Sequence, residues 1–303
     1  MNLLQLRYMA AVAEYGSLNK AAVALYMTQP NLSGAIRNLE KELDVKLFDR
    51  TNNGMVITEE GQDFLKYAKR ILGEIKLLEE RYQKDFLKSF TVSSHHYDFL
   101  SEPLAYVAEI YEDDYQDFQL IETTTRQILE SVASYESDLG IIYLNDENRH
   151  FLTRHITNLD LEFTSLGDFQ TRIFLGKNHP LAQQELISEE DLTTYPQIRF
   201  QQEKTGMHFD EDPLEINHYQ RIIYSNDRGT VMNLLRASDA YASGLGIVNS
   251  FMREQIVLVP LKDSPLHTLG YVRPKKAKSS AIIDSFISQV QKSLAEFRDY
   301  EEN

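Results

Sequence analysis

The feature that most constrains this chain is a helix-forming segment, residues 17–48, which is interrupted near Tyr26 and begins again at Thr28. A further helix is predicted over residues 3–15, ahead of this segment. Thr28 suits an N-cap, and Pro30 falls in the first turn, where its missing N–H costs nothing. Two short helices joined by a tight turn form a helix-turn-helix, and the second helix then projects from the surface.

The second helix of this pair has one apolar and one polar face. Its predicted buried face is aliphatic at helical spacing: Leu32, Ile36, Leu39 and Leu43. Short hydrogen-bonding side chains on its first turns suit base edges and phosphates in a DNA groove. The predicted DNA contacts here are Thr28, Gln29, Pro30, Asn31, Ser33 and Arg37. Thr28 would also cap the helix, and Pro30 would meet a thymine methyl. The alternative is a three-helix packing unit with a solvated polar face.

A hairpin is predicted directly after this helix. Two short apolar segments, residues 46–50 and 55–58, flank the tetrapeptide Thr-Asn-Asn-Gly, and Asn-Gly between such segments is a strong hairpin signal. Behind a helix-turn-helix, such a hairpin is a wing. Arg50 at its base is predicted to meet a DNA phosphate.

The distribution of charge separates the chain into two parts. The 303 residues carry a net charge of −15, yet residues 1–88 hold 13 Lys and Arg against 12 Asp and Glu. Residues 89–303 hold 18 against 34. Only the first part could therefore approach a phosphate backbone without a large electrostatic penalty.

Several classes of protein are disfavoured by composition. The chain has no cysteine, which rules out disulfides and thiolate metal sites and fits a reducing cytosol. Its first residues lack the basic and apolar regions of a signal peptide, and no apolar run is long enough to cross a bilayer. We therefore expect a cytoplasmic protein of two or three domains that does not contact a membrane.

One long helix is predicted over residues 58–88. Apolar side chains recur along it at alternating spacings of four and three, which is a heptad seam. The seam consists of Phe64, Ala68, Ile71, Ile75, Leu78 and Tyr82. We predict that this helix mediates dimerisation; the alternative is a helix packed on one of the domains.

Strands and helices alternate from residue 90 onward. Strands are predicted at 90–92, 118–122, 139–143, 172–175, 197–200, 221–224, 256–259 and 269–272. Helices are predicted at 102–111, 126–135, 229–236 and 279–297. The alternation predicts an α/β domain.

The segment GSLNKAAVALYMTQPNLSGAIRNLEKELDVKLFDR, followed by ITEEG, resembles the DNA-binding region of LysR-type transcriptional regulators. Weaker resemblances are ESDLGIIY at 136–143, NHPLA at 178–182 and ASGLGIV at 242–248. Asn53 stands in the wing where the family often has a basic residue, and we predict that it contacts DNA through its amide and backbone.

The resemblance implies an all-α winged helix-turn-helix over residues 1–58, a linker helix over 59–88 and an α/β effector domain over 89–303. The effector domain would resemble periplasmic binding proteins, with one subdomain formed by 89–162 and 268–303 and the other by 163–267. It further implies a homodimer or homotetramer that binds inverted-repeat promoter sites in double-stranded DNA and responds to a small-molecule effector. RNA polymerase is a candidate further partner.

The predicted effector site lies where strands end and helices begin. Helix N-termini at such positions attract anions, and the resemblance places these segments on a cleft. The predicted effector contacts are Ser94, His95, Thr124, Thr125, Phe200 and Gln201. The expected effector is a small anion or polar metabolite. The alternatives are N-capping by Ser and Thr, and a pH-sensitive or metal-binding role for the His95–His96 pair, for which no third ligand is near in sequence.

An enzyme is the weaker interpretation, because the sequence contains no nucleophile elbow, phosphate-binding loop, dinucleotide fingerprint or His-Glu-x-x-His motif. No cofactor and no metal site are predicted. A soluble small-molecule binding protein without DNA-directed function is the remaining alternative. It would require a signal peptide where the helix-turn-helix stands.

Overall fold

The computed structural model describes residues 1–51, 54–82, 88–201, 209, 212–214, 221–248, 253–277 and 280–302. The chain forms two compact units, one of residues 1–86 with 134–136 and one of residues 87–133 with 137–303. Among the described residues, no helix combines the length and apolarity needed to cross a membrane.

The first unit is a three-helix core with a hairpin and a long helix. Its elements are α1 (Leu3–Tyr15), α2 (Leu18–Ala24), α3 (Gln29–Leu43), β1 (Phe48–Thr51), β2 (Gly54–Ile57) and α4 (Glu59–Tyr82). The core is aliphatic and aromatic and is formed by Met9, Val12, Ala21, Ala22, Leu32, Ile36, Leu39, Leu47 and Phe48. The predicted winged helix-turn-helix is therefore confirmed.

The hairpin is held against both α1 and α3. Its strands pair antiparallel, and the backbone N–H of Met55 donates to the carbonyl of Gly16, the C-cap of α1, at 2.9 Å. Gly54 has φ of +125°, and a Cβ there would lie 2.5 Å from the Gly16 carbonyl oxygen. The Glu40 carboxylate accepts from the backbone N–H groups of Leu47 and Phe48 at 2.9 and 3.2 Å. These contacts fix the wing relative to α1 and α3.

The second unit contains two five-stranded sheets. The first is ordered β4-β3-β5-β12-β6, where β3 is Lys88–Ser94, β4 is Tyr115–Glu122, β5 is Leu139–Leu144, β6 is Leu161–Gln170 and β12 is Leu266–Pro274. Strands β3, β4 and β5 run parallel, and β12 pairs antiparallel with β5 and β6. Its helices are α5 (Ser101–Ile110), α6 (Thr125–Ala133), α7 (Arg149–Asn158) and α10 (Ala281–Glu302).

The second sheet is ordered β11-β7-β10-β8-β9. Its strands are β7 (Arg172–Gly176), β8 (Gln197–Phe200), β9 (Ile222–Ser225), β10 (Tyr241–Gly244) and β11 (Ile256–Pro260), and its helices are α8 (Glu189–Leu192) and α9 (Arg228–Ala237). We call the two sheets with their helices the first and second halves of this unit.

The structure corrects three predicted boundaries. Lys88 begins β3, so it does not belong to the long helix. Residues 163–170 form most of β6, and residues 266–267 begin β12, the strand with which β6 pairs, so both segments belong to the first half rather than the second. The strand β6 was not predicted because few of its side chains are buried and it lacks an apolar alternation. The strand β10 was not predicted because its sequence, Tyr-Ala-Ser-Gly, resembles a turn more than a strand.

The chain passes between the halves at Thr171 and at residues 261–265, and we call these segments, together with the adjoining start of β12 at residues 266–267, the crossing segments. The Thr171 N–H donates to Ser264 Oγ at 2.8 Å, and its carbonyl accepts from the Leu261 N–H at 3.2 Å. Thr171 Oγ1 lies 2.8 Å from His267 Nε2. Both side chains are fully buried, and burial lowers the pKa of His267 to about 4. The crossing segments are thus bonded to each other by neutral groups.

Candidate nucleic-acid interface and ligand cleft

The turn between α2 and α3 is set by one residue in the left-handed conformation. Tyr26 has φ of +53°; its N–H donates to the Val23 carbonyl at 3.1 Å, and the Met27 N–H donates to the Ala22 carbonyl at 2.9 Å. This pair of bonds is a Schellman motif, which closes a helix and redirects the chain. It accounts for the interruption that the sequence shows near Tyr26.

The first turn of α3 presents polar side chains to solvent. Thr28 occupies the N-cap position but makes no side-chain capping hydrogen bond. Pro30 and Asn31 are exposed, and Gln29 is half-buried. The side chains of Gln29 and Asn31 form no hydrogen bond to any described residue, so their amides remain available for a partner.

Ser33 lies beneath this surface and holds two arginines above it. It is only 5% exposed. Its Oγ accepts from Arg50 Nη2 at 2.7 Å, and its carbonyl accepts from Arg37 Nε at 3.3 Å. Both arginines are exposed. Ser33 was predicted as a DNA contact, and in the structure it is buried beneath these two arginines and bonded to both. Asn53 lies outside the described residues.

The seam on α4 changes character along the helix. Phe64 packs against the core of the first unit, and Ala68 is buried. Farther along, Ile75 is half-buried, whereas Ile71 and Leu78 are 38% and 58% exposed. For the last seam position, Tyr82, only the helical backbone is described. The C-terminal half of the seam therefore leaves apolar surface open on a single chain.

The predicted effector residues of the first half bond to one another below the surface. His95 Nε2 lies 2.8 Å from Thr125 Oγ1, its Nδ1 lies 3.3 Å from the Tyr97 hydroxyl, and Ser94 Oγ donates to the His95 carbonyl at 2.7 Å. Ser94, His95 and Thr125 are almost fully buried. The two strand ends meet as expected, and their polar groups are hydrogen-bonded to one another below the surface.

A cleft opens beside this buried network. Its empty volume is about 690 Å³, including the part open to solvent. Apolar and aromatic side chains form most of its lining, among them Tyr97, Tyr143, Phe174, Phe200, Val231 and Met232. Of the six predicted effector contacts, Phe200 lines the cleft, whereas Ser94, His95, Thr124, Thr125 and Gln201 are not among the lining residues.

Two contacts span the cleft between the halves. Arg228, the first residue of α9, forms an ion pair with Asp98 of the first half, with Nη2 2.9 Å from Oδ1. The His96 ring stacks on the Phe200 ring with centroids 3.6 Å apart and planes 8° from parallel. His95 and His96 therefore have separate surroundings. The sequence analysis does not single out Arg228. This residue begins a helix soon after a strand ends, which is the same pattern that identifies Thr125 as a candidate.

Arg228 has unused hydrogen-bonding capacity. Its side chain is 14% exposed, and its Nε and Nη1 atoms are buried and form no hydrogen bond with any described residue. The acid in the lining, Asp212, already accepts from Arg199 Nε at 3.0 Å and from Ser243 Oγ. Among the described residues that line the cleft, Arg228 is thus the cation that still has hydrogen-bond donors without an acceptor.

A winged helix-turn-helix followed by a two-sheet α/β unit with a cleft defines a DNA-binding regulator with a ligand-binding domain. Residues 3–62 match the family model for the bacterial regulatory helix-turn-helix protein of the lysR family. Residues 115–295 match the LysR substrate binding domain. The chain belongs to the LysR family. A binding protein without DNA-directed function is not favoured by these matches.

Individual relatives agree with this assignment. A probable RuBisCO transcriptional regulator from Guillardia theta is 32% identical over 197 residues, which cover 62% of this chain and 60% of that protein. The matches to two further curated relatives likewise span only 65% and 61% of the length of those proteins.

Two solved structures share the fold over nearly the whole chain. A full-length OxyR variant from Pseudomonas aeruginosa matches with a TM-score of 0.64 and 18% identity, covering 96% of this chain and 95% of that one. Full-length CbnR in complex with its target DNA matches with a TM-score of 0.57 and 16% identity, covering 97% and 100%. The predicted fold class is confirmed.

Proposed function

We propose that this protein is a transcription regulator that binds promoter DNA through its first unit and responds to a small molecule in the cleft of its second. The observation that carries the DNA-binding proposal is the exposed polar start of α3 beside two arginines held by Ser33. The membership in the LysR family supports it, and so does the near-neutral charge of residues 1–88 in an otherwise acidic chain.

The proposed interface divides into reading and anchoring residues. Gln29 and Asn31 would read base edges, because amide side chains form paired hydrogen bonds with bases in the major groove. Pro30 would meet a thymine methyl group. The proposed phosphate contacts are Thr28, Arg37, Arg50 and Asn53, which fix the register of the protein on the duplex. Ser33 would position the arginines.

The proposed assembly is a homodimer or homotetramer formed through α4. One helix-turn-helix reads one half-site, so a two-fold dimer would bind an inverted repeat. The exposed seam residues Ile71 and Leu78 support an α4 interface. We propose residues 1–58 as the DNA-binding domain, residues 59–82 as the linker helix and the two-sheet unit as the effector domain. RNA polymerase as a further partner, and the cytoplasm as the compartment, follow from a promoter target.

The test separates reading from anchoring. Operator DNA is first selected from genomic fragments, and binding is then measured by fluorescence anisotropy across a salt series. Gln29→Ala should relax specificity at one base position, at a cost of roughly 1–3 kcal/mol there. Arg50→Ala should weaken binding to every sequence and reduce the salt slope by about 0.9.

Matched controls lie on the same helix. Asn38 is exposed nine residues beyond Gln29, on the opposite face of α3, and Lys41 is in the last turn. Asn38→Ala and Lys41→Ala should therefore leave specificity and salt slope unchanged. Equal loss on selected and scrambled DNA for Gln29→Ala would refute its reading role, and failure to select any DNA would refute the proposed function.

A further inference from the structure

The cleft contains one guanidinium whose hydrogen bonds are incomplete. Arg228 uses Nη2 for Asp98, and its buried Nε and Nη1 bond to no described residue. A buried donor without an acceptor is unfavourable, and a guanidinium presents its donors in a planar fork that matches a carboxylate. The atoms that would complete this site are therefore the oxygens of an acceptor entering the cleft.

We propose that Arg228 anchors the ligand and that the ligand is a small monocarboxylate with an apolar body, whose carboxylate replaces Asp98 on the guanidinium. The inference rests on the proposed function, since it names the chemistry of the effector that the cleft would bind. Arg228 would supply the ligand contact that Ser94, His95 and Thr125 do not provide, because these three side chains are almost fully buried.

The charges around the cleft limit the ligand to one negative charge. Asp98 and Asp212 both contribute carboxylates, and Arg199 is already paired with Asp212 at 3.0 Å. Residues 89–303 as a whole carry 18 Lys and Arg against 34 Asp and Glu. A second ligand carboxylate would have no unpaired cation among the described lining residues and would be repelled by this surrounding charge.

The rest of the lining favours an apolar body. Aromatic and aliphatic side chains line the cleft together with Arg228, including Phe200, Val231 and Met232. The nearby polar groups are already used, because the Tyr97 hydroxyl lies 3.3 Å from His95 Nδ1 and Ser243 Oγ donates to Asp212. A sugar or a polyol would leave several hydroxyl groups unpaired in such a pocket.

Replacement of Asp98 would couple binding to the relation between the halves. Arg228 belongs to the second half and Asp98 to the first, so their ion pair is a bond across the cleft. A ligand carboxylate that takes over Arg228 would release Asp98. The ligand would then have different affinities for the arrangement with the Arg228–Asp98 ion pair and for the arrangement without it. Such a difference in affinity is required for a ligand to shift the equilibrium between two arrangements.

The experiment uses the full chain and a matched set of probes. The acids are phenylacetate, 3-phenylpropionate and 4-methylpentanoate, each paired with its primary amide, and phenylsuccinate serves as the dianion. Affinities are measured by calorimetry on wild type, Arg228→Gln, Arg228→Lys and Asp98→Asn. Arg236→Gln is the control, since it removes an exposed arginine from the far end of the same helix.

At least one acid should bind wild type about tenfold or more tightly than its amide and than phenylsuccinate, as expected for a charge-assisted hydrogen bond. Arg228→Gln should lose that affinity by about tenfold or more, Arg228→Lys should lose part of it, and Arg236→Gln should lose none. Asp98→Asn should bind the acid more tightly, because the competing carboxylate is gone.

The opposite signs for Arg228→Gln and Asp98→Asn exclude a purely structural ion pair, which would make both substitutions act alike. Equal binding of acids and amides, binding of no acid, or weaker binding by Asp98→Asn would overturn the inference. Operator binding by the same proteins without ligand is measured in parallel. If one of these contrary results is obtained while operator binding is retained, the carboxylate site alone is refuted and the DNA-binding proposal still holds.

Discussion

At the scale of single residues, the proposed DNA interface depends on a side chain that is almost fully buried. Ser33 joins Arg37 on α3 to Arg50 on β1, and both arginines project to solvent. An arginine held in place loses less conformational entropy when it meets a phosphate. In the proposed interface, the hydroxyl of Ser33 would therefore contribute to DNA binding without carrying charge or touching DNA.

We predict that Ser33→Ala weakens binding to selected and scrambled DNA alike, by about 0.5–1.5 kcal/mol, the usual contribution of one hydrogen bond. The salt slope should not change, because both arginines remain. Anisotropy titrations at several salt concentrations measure both quantities, and Ser33→Thr, which keeps the hydroxyl, should restore most of the affinity. Loss confined to selected DNA would instead make Ser33 a base contact.

A second residue-scale prediction concerns acid stability. Burial lowers the pKa of His267 from 6.5 to about 4, against a smaller opposing effect of Asp146. In the unfolded chain, the His267 imidazole becomes protonated near pH 6.5, whereas in the folded chain it becomes protonated only near pH 4. Stability from this group is therefore complete above pH 6.5 and decreases as the pH falls toward 4, by on the order of 3 kcal/mol.

Urea denaturation at pH 7, 5.5 and 4.5 tests this dependence. His267→Gln should lose less stability over that range than wild type does. His150→Gln removes an exposed imidazole and serves as the control, with a wild-type profile expected. Parallel curves for wild type and His267→Gln would show that His267 takes up its proton as readily in the folded protein.

At the scale of secondary-structure elements, the wing is an integral part of the three-helix core. The close approach of Gly54 to the Gly16 carbonyl leaves no room for a Cβ, and φ of +125° is unfavourable for other residues. Gly54→Ala should therefore destabilise the first unit by about 1–3 kcal/mol. Chemical denaturation measures this loss.

The control for that substitution is Gly34→Ala in α3. A Cβ at Gly34 would have no neighbour within 4 Å, and alanine is favoured over glycine inside a helix by about 1 kcal/mol. Gly34→Ala should therefore be neutral or stabilising. If both alanine variants had the same stability, the contact between the wing and α1 would not constrain Gly54.

The elements also show which parts of the fold the sequence could predict. Helices α1 and α3 were predictable because their apolar spacing, caps and C-terminal Gly16 are local signals. The strand β6 was not, because its burial depends on pairing with β12, about 100 residues later. Pairing partners so distant leave little trace in the local pattern of a half-exposed strand.

At the scale of the whole molecule, the proposed dimer depends on apolar side chains of α4 that are exposed on a single chain. Leu78 is 58% exposed on a single chain, so Leu78→Asp should cost the monomer little stability. In the proposed dimer it would bury an unpaired carboxylate, at a cost of several kcal/mol. Sedimentation should show dissociation, and operator affinity should fall because one half-site replaces two.

Gln62→Asp is the matched control, since Gln62 is exposed on the same helix and lies outside the seam. It should sediment as wild type does. A Leu78→Asp protein that keeps its oligomeric state and its operator affinity would place the interface elsewhere than on α4.

The two candidate sites differ in how far the sequence could reveal them. The proposed DNA contacts lie within one continuous stretch around α3 and β1, so the helical spacing of α3, the hairpin signal after it and the family resemblance grouped them. In the cleft, Arg228 pairs with Asp98, 130 positions away in the sequence. His95, which the end of its strand marks as a candidate ligand contact, is buried. Which polar groups satisfy each other depends on packing between distant segments.

The division of α3 into unbonded and bonded side chains has a consequence for evolution and engineering. Gln29 and Asn31 hydrogen-bond to no described residue, whereas Arg37 and Arg50 are fixed by Ser33. Exchanging the two amide residues therefore costs the fold little and leaves the arginines where they are. Under the proposed roles, a protein with this arrangement would acquire a new operator by changing two residues, while its phosphate contacts stay unchanged.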